Sequence, residues 1–521
     1  MSGIRSVRSI PGREPPAPWM LYAALFFLFL IAFGVFVQGV GPNQLSRLNL
    51  TLALAHEGRL EIDTYTANAI DRAYYNGHYY SDKAPLVSFL GYPVYQALRS
   101  LQHLDRVNLD TRLMLTYLLW VLNASLNVPL TALLLLIFLH VGRTLRPHSE
   151  MPWITVFVLA FATLMFPYAT MLFGHNIAAF FGFVPFAIAL YVRLGRLSDR
   201  WLFLAGVLVG LGVVAEYPNG VFAIALVLYV AATRRSWRSV AWVIAGGLGP
   251  ALMLAAYNTL AFDSPLHFSY LYHAAPWGKE HRHGLLGVQW PRVSHLVQIL
   301  FSPKGLFYLM PVAWLSPLAY VSMWRDRHWR AEFWMALGIP GVILLLNAGY
   351  FYTLGGSSPG PRFLVPTFPF LFLPYIFLGK GWRWPLVGLA LLSAAIQFLI
   401  VVVNPLVGRF DNPLLAYWLP RFLRGQTKVG LVVRQRYGIP YRLGLVFVLG
   451  VMAAGPALVW AWHRLSRRGR ERLARVALLV SLGLYVLTAF PLDLRHPTKV
   501  PAWYLRPSPP VRDNPPPGGH G

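Results

Sequence analysis

The chain has 521 residues, of which 56% are hydrophobic and 12% are charged, whereas a soluble domain carries about 25% charged residues. This composition excludes a soluble globular protein and predicts one that crosses the membrane many times. The formal net charge of +26 is divided among short arginine-rich clusters between apolar runs, so no nucleic-acid partner is expected. The chain contains no cysteine, which excludes disulfides, thiolate metal ligands and a cysteine nucleophile.

Taken in chain order, the apolar runs predict an all-α polytopic fold with about thirteen membrane-spanning helices. The first run is too long for a signal peptide, so it is predicted to be an uncleaved span. Residues 1–17 form a predicted cytoplasmic tail, 18–491 the transmembrane domain and 492–521 a proline-rich extracytoplasmic tail. The runs lie near 18–40, 113–140, 152–172, 176–193, 201–215, 218–233, 239–261, 305–323, 331–351, 363–379, 384–403, 442–462 and 476–491.

The apolar run at 84–98 is too short to span a bilayer easily, and it contains Pro85 and Pro93. We predict that it forms a helix lying in the membrane interface. The N-terminus and all the basic clusters then fall on the cytoplasmic side, as the positive-inside rule requires, and the long first loop, 41–112, is extracytoplasmic. The arginine-bearing segment 404–441 is predicted to be extracytoplasmic as well, since long loops cross the membrane largely regardless of charge.

The first loop concentrates acidic residues that can carry chemistry in water. Asp63 and Asp71 are candidate catalytic bases, because partial burial can bring the pKa of a carboxylate near the working pH. On a continuous helix their spacing would place them two turns apart on nearly one face. Glu61 and Asp63 form an acidic pair able to bind Mg²⁺ or Mn²⁺, and no other cofactor is expected. The alternative is that these acids are solvated or cap helices.

Further polar residues recur at the ends of predicted spans on the same side. His175 and Glu216 are additional catalytic candidates, although His175 can equally be a hydrogen-bonded packing residue and Glu216 a structural partner for an arginine. Arg362 follows a glycine-rich segment and can bind phosphate through both guanidinium nitrogens, or can simply extend to the membrane surface. The candidate substrate-binding residues are Tyr79, Tyr80, Asp82, Lys83, Asn176, His267, Lys304 and Arg362.

The layout of one span, a long outer loop ending in Tyr79-Tyr80-Ser81-Asp82-Lys83-Ala84-Pro85-Leu86, an interfacial helix and about twelve further spans resembles the C-type (GT-C) integral-membrane glycosyltransferases. The similarity is to the branch containing protein O-mannosyltransferases and the lipid A aminoarabinose transferase. Residues 302–308 and 355–363 resemble segments of uncharacterised bacterial members. The acidic pair that the family carries just after its first span is absent, because residues 41–47 contain no carboxylate.

The resemblance implies an enzyme of the bacterial inner membrane that transfers a sugar from a polyprenyl-phosphate donor at the extracytoplasmic face. Lys83 would then contact the carrier phosphate, and Asp71 or Asp63 would deprotonate the acceptor, which can be a lipid, a glycan or a protein. Tyrosine faces such as those of Tyr79 and Tyr80 suit the C–H surfaces of a sugar. The alternative is a transporter or flippase for a lipid-linked sugar, which would favour internal repeats and polar residues in mid-membrane.

Overall fold

The computed structural model describes residues 18–68, 70–102, 111–408, 410–427 and 430–489. Both predicted tails, and Arg409 and Lys428 of the segment 404–441, lie outside the described residues. The described chain is predominantly helical, so the all-α prediction is confirmed. Its helices are α1 (Pro18–Gly34), α2 (Pro42–His56), α3 (Leu86–Gln102), α4 (Arg112–Leu122), α5 (Val128–Leu145), α6 (Met151–Phe161), α7 (Met165–Ala169), α8 (Gly174–Arg193), α9 (Trp201–Ala215), α10 (Gly220–Arg234), α11 (Trp237–Phe262), α12 (Val293–Phe301), α13 (Leu306–Leu309), α14 (Ser316–Trp324), α15 (Arg330–Gly349), α16 (Phe368–Phe372), α17 (Arg383–Val403), α18 (Leu419–Leu423), α19 (Val432–Tyr437), α20 (Tyr441–Arg464) and α21 (Arg467–Ala489). Its strands are β1 (Phe36–Val37), β2 (Ala73–Tyr75), β3 (His78–Tyr80) and β4 (Gly430–Leu431).

Six helices of the described chain are long and apolar enough to cross a membrane, namely Arg112–Leu145, Gly174–Arg193, Trp237–Phe262, Arg327–Gly349, Lys380–Val403 and Tyr441–Arg464. The pair Val293–Leu309 and Pro311–Trp324, bent by 104°, would make a seventh span. Shorter apolar helices cover Trp19–Gly34, Met151–Phe161, Trp201–Ala215 and Arg362–Phe377. The prediction of about thirteen spans is therefore not confirmed, because several apolar runs fold as short or interrupted helices.

The interruption between α6 and α8 shows how such a break is stabilised inside the bundle. Between α4 and α5 the helix widens into a π-turn at Asn123–Asn127, which points two amide side chains at the broken segment. Asn127 donates to the carbonyls of Tyr168 and Met171, both at 2.8 Å, and Asn123 donates to that of Ala169 at 3.0 Å. These bonds give partners to the carbonyls of Tyr168 and Ala169 where the helix is broken, and a second partner to that of Met171, which also accepts from the N–H of Phe173. The chain then restarts as α8 at Gly174.

Ion pairs divide the polar residues into two ends of the bundle. At one, here called the basic end, Arg146 pairs with Asp326, Arg383 with Glu150 at 3.0 Å, and Arg193 with Glu332. The other, the loop end, comprises residues 41–102, 174–176, 216–219, 262–304, 350–362 and 404–441. The basic clusters represented in these pairs share one end, as predicted. Which end faces the cytoplasm stays a prediction.

The segment 404–441 packs onto the loop end. Strand β4 pairs antiparallel with β1 through Phe36 and Leu431. The side-chain amide of Asn412 donates to Tyr308 Oη at 2.8 Å, and the backbone N–H of Val407 donates to the carbonyl of Ser357 at 2.9 Å. These contacts agree with the prediction that this arginine-bearing segment lies on the same side as the first loop.

The first loop folds as helix α2, the hairpin β2–β3 and helix α3. Pro42 at the first turn favours the start of α2, and the hairpin turns at Asn76-Gly77, where both residues have positive φ as a tight two-residue turn demands. Helix α2 is buried along most of its length although it is rich in polar residues. Buried polar groups need partners, so α2 brings its polar side chains against the neighbouring loops.

Candidate functional site

A buried ion cluster lies where the hairpin β2–β3 leads into α3. Lys83 Nζ lies 3.0 Å from Asp71 Oδ2 and also contacts Asp82, whose side chain is completely buried. Ser46 Oγ, from α2, donates to Asp82 Oδ1 at 2.7 Å, and His273 Nε2 lies 3.3 Å from Asp82 Oδ2. Burial raises the pKa of Asp82, but the charge of Lys83 and the contact with His273 outweigh it and hold this pKa well below its usual range. Asp82 is therefore ionised and locked by its partners.

A second buried ion cluster joins α2 to the loop after α9. Arg47 Nη2 lies 2.7 Å from Glu216 Oε1, and both side chains are buried. His175 Nδ1 lies 3.7 Å from the same carboxylate oxygen, while its Nε2 is buried without a hydrogen-bond partner among the described residues. A Cβ on Gly174 would lie 2.3 Å from Glu216 Oε1, so any larger residue there would have to displace this ion pair. The sequence hypothesis that Glu216 pairs with an arginine agrees with this geometry.

A third group contains two cations on a glycine turn. The ammonium of Lys304 is buried and donates to the carbonyl of Gly356 at 2.7 Å. Arg362 packs against Gly355, the residue before Gly356, since a Cβ on Gly355 would lie 2.7 Å from the Nε of Arg362. Both glycines have positive φ, which lets the turn fold closely around the two side chains.

The three groups adjoin one another. His175 lies within electrostatic range of Arg47, Lys83 and Arg362, one cation from each group. The negative charge of Asp71 in turn interacts electrostatically with the guanidinium of Arg362. The ring of Phe363, next to Arg362, packs edge-on to His175 with centroids 6.2 Å apart. Side chains from five separate parts of the loop end therefore surround one region.

Two aromatic rings stack in series on the imidazole of His273. Its imidazole stacks on that of His281 with centroids 5.5 Å apart, and His281 stacks on Tyr270 at 5.3 Å. Burial, together with the nearby His273, lowers the pKa of His281 to about 4, so its ring is neutral near pH 7. The stack fixes the position of the imidazole that contacts Asp82.

Asp63 and Glu61 lie away from these groups. Asp63 begins a 3₁₀ helix that ends at Asn68, whereas Asp71 lies outside any helix, just before β2, so the two acids do not share one helix face. Asp63 is substantially exposed and holds the hairpin by accepting from the N–H of Tyr79 at 2.7 Å and contacting His78. Glu61 accepts from Tyr80 Oη at 3.5 Å. Glu61 and Asp63, the predicted metal-binding pair, thus form contacts that stabilise the hairpin in this structure.

Another set of acids and a histidine has the spacing that a metal ion needs. One ligand atom each from Asp71, Asp82 and His273 lies within 4.8 Å of the others. Two carboxylates and an imidazole suit Mn²⁺ better than Mg²⁺, which prefers oxygen ligands alone. Lys83 Nζ occupies the space between the two carboxylates, so these residues fit an ion only if that ammonium turns away.

The remaining predicted residues make contacts within the protein. Asn176 donates to the carbonyl of Met165 at 3.0 Å inside the bundle, and His267 Nδ1 lies 2.9 Å from the carbonyl of Phe262. Tyr79 packs under the guanidinium of Arg72, and Tyr80 packs on a phenylalanine. Their roles in binding substrate stay predictions.

Two site residues were missed by the sequence hypotheses: Ser46 and Arg47. Ser46 and Arg47 lie in residues 41–56, a stretch that lacks a carboxylate and so offers no candidate base. One signal could have pointed to Arg47. It lies just after the first predicted span, on the side opposite the basic clusters, where the positive-inside rule makes an arginine unusual.

Comparison with known proteins finds no matching family model and no matching curated protein. Among solved structures, the chain is similar to the crystal structure of ArnT from Cupriavidus metallidurans bound to undecaprenyl phosphate, with 14% identity, 91% of this chain and 76% of that chain covered, and a TM-score of 0.47. It is also similar to the crystal structure of ArnT from the same organism in the apo state, with 16% identity, coverage of 90% and 75%, and a TM-score of 0.42.

Proposed function

We propose that this protein is a membrane glycosyltransferase of the GT-C type, which moves a sugar from a polyprenyl-phosphate donor to an acceptor at the extracytoplasmic face. The observation that supports this most is the convergence of carboxylates, imidazoles and cations at one end of a membrane bundle. A transfer of this kind needs a base for the acceptor and positive charge for the departing phosphate, next to the lipid that carries the donor. The sequence motif around Lys83 points to the same class of enzyme.

Asp71 is the catalytic base in this proposal. Its side chain keeps 17% of its surface exposed, against 0% for Asp82, while Glu216 at 9% is held by Arg47. Among these carboxylates Asp71 is therefore the most open to an incoming acceptor. It takes the proton of the acceptor hydroxyl as that oxygen attacks the anomeric carbon. The bond from that carbon to the phosphate oxygen breaks, its electron pair stays on the phosphate, and the configuration inverts.

A divalent ion, where present, would be held by Asp71, Asp82 and His273 and would supply positive charge near the sugar hydroxyls. Lys83 supplies positive charge at the same place in the structure described here. The proposed transfer uses only side chains of this protein: Asp71 is the base, and Lys83 orients it.

The proposal is tested by a reconstituted assay with radiolabelled polyprenyl-phosphate sugars. Asp71→Asn should lower kcat by about 10²-fold or more, which is the usual contribution of a general base. Asp63→Asn, which makes the same substitution at an aspartate on the outer surface of the loop, should retain most of the activity. EDTA is added in parallel to test the need for an ion.

Two results would count against the proposal. Equal loss of activity in the Asp71 and Asp63 variants would remove Asp71 as the base. If no donor is consumed while labelled lipid crosses proteoliposomes that contain the wild-type protein, the protein is a transporter and the first loop belongs to its gate.

A further inference from the structure

We propose that Arg362 and Lys304 together form the subsite for the phosphate group of the donor, and that Lys83 does not bind it. This inference rests on the proposed function, because it assigns one part of the proposed substrate to one part of the site. Some cations of the loop end already have a carboxylate partner and others do not.

Lys83 is already neutralised by its neighbours. Its ammonium contacts Asp71 at 3.0 Å and also Asp82, so one positive charge faces two negative charges. The charges of Lys83, Asp71 and Asp82 sum to −1, which repels a phosphate anion. Arg47 is likewise matched by Glu216 at 2.7 Å. The positive charges of Lys83 and Arg47 are therefore already compensated by carboxylates of the protein.

Arg362 has no such partner. Within the described part of the chain its guanidinium makes no ion pair, and its Nε is buried without a hydrogen-bond partner. The side chain lies against Gly355 and over the ring of Phe363, with Cζ 5.0 Å from the ring centroid. A buried guanidinium nitrogen without an acceptor is costly, and an oxyanion would satisfy it.

Lys304 adds a second charge to the same turn. It is buried, and its ammonium donates to the neutral carbonyl of Gly356 while no carboxylate pairs with it among the described residues. The positive charge of Arg362 acts on Lys304, so the two cations are close enough to repel each other. A buried pair of like charges is stabilised when an anion binds between them.

The site is thereby divided by charge. The side of Asp71, Asp82 and Lys83 carries −1, whereas the side of Arg362 and Lys304 carries +2. A phosphate on the second side leaves the sugar to lie toward Asp71, which is within electrostatic range of Arg362. The acceptor then approaches beside the base while the charge that develops on the leaving phosphate meets the two cations.

The test is direct binding of radiolabelled farnesyl phosphate, a short prenyl monophosphate, to the purified full-length protein. Arg362→Gln and Lys304→Gln should each weaken binding about tenfold or more, since each removes a charge-assisted hydrogen bond. The matched control is the double variant Lys83→Gln/Asp82→Asn, which removes the other ammonium yet leaves the net charge of its group unchanged. Its affinity should stay within about threefold of the wild type. Thermal unfolding identifies variants that fail to fold. If one single variant fails to fold, the other still tests the subsite.

Inorganic phosphate and farnesol separate the sources of affinity. Displacement of farnesyl phosphate by inorganic phosphate in the wild type, but not in Arg362→Gln, supports the subsite whatever carries the phosphate. Farnesol binding as tightly as farnesyl phosphate, or a double variant that loses as much affinity as Arg362→Gln, overturns it. If the subsite binds farnesyl phosphate in this way while the wild type transfers no sugar, the proposed function fails and the phosphate subsite stands.

Discussion

At the scale of single residues, Gly174 decides whether the pair of Arg47 and Glu216 can form. A methyl group there would lie 2.3 Å from Glu216 Oε1 and 2.9 Å from Arg47 Nη2. Gly174→Ala should therefore separate a buried ion pair and lower the free energy of unfolding by about 2 to 4 kcal/mol, close to the cost of breaking such a pair. Denaturant unfolding in detergent measures this change.

The control for Gly174 is Gly220, which begins the neighbouring helix α10. A Cβ there meets no atom within 4 Å, so Gly220→Ala should change stability by less than about 1 kcal/mol. A Gly174→Ala variant as stable as this control would mean that α8 can move away from Glu216, and the close contact would then have no structural role.

The sequence identifies buried charged residues better than it identifies the residues that pair with them. Glu216 between two apolar runs predicts a paired or functional acid, and that expectation agrees with the structure. The partner itself, Arg47, lies 169 residues away along the chain, and no local pattern connects the two. The metal hypothesis shows the converse, because Glu61 and Asp63 are neighbours in sequence but serve the hairpin, whereas Asp71, Asp82 and His273 meet only after folding.

At the scale of elements, the loop containing His281 should respond to pH. The pKa of this buried imidazole is lowered to about 4, from 6.5 in water, so below pH 6.5 the unfolded chain binds a proton that the folded protein excludes. The free energy of unfolding should accordingly fall as the pH drops from about 6.5 to about 4, by about 3 kcal/mol from this residue. His281→Phe keeps an aromatic ring in the stack and should flatten that part of the stability profile.

The control for this experiment is His283→Phe. His283 lies two residues further along the same segment but is exposed, so its replacement should leave the pH dependence unchanged. Unfolding midpoints in detergent at a series of pH values compare the three proteins. A wild-type slope that survives His281→Phe would assign the pH dependence to another group.

The elements themselves were predictable to different degrees. Long apolar runs such as Tyr441–Arg464 are visible because lipid demands an unbroken apolar helix. The break between α6 and α8 was not visible, since the carbonyls it leaves are satisfied by Asn123 and Asn127 on another helix. Helix α2 was also missed, because a polar helix buried against loops has neither the apolar run of a span nor the exposed face of a surface helix.

At the scale of the whole molecule, the basic end bears the residues that mark a membrane interface. Exposed tryptophans lie there beside arginines: the guanidinium of Arg330 lies 3.3 Å from the ring centroid of Trp324, and that of Arg383 lies 4.9 Å from that of Trp384. Tryptophan gathers at membrane interfaces, and arginine at the cytoplasmic one. The basic end is therefore expected to face the cytoplasm and the loop end the outside.

The absence of cysteine from the sequence makes this orientation directly measurable. Single cysteines at Glu280 and Gln426, both exposed at the loop end, should react with an impermeant maleimide in intact cells whose outer membrane has been made permeable, where one is present. A cysteine at Ser198, exposed at the basic end, should react only after the inner membrane is disrupted. Because Gln426 belongs to the arginine-bearing segment, its labelling also tests whether that segment crosses the membrane despite its charge. Labelling of Ser198 alone in intact cells would reverse the orientation, and it would place the proposed transfer on the cytoplasmic face.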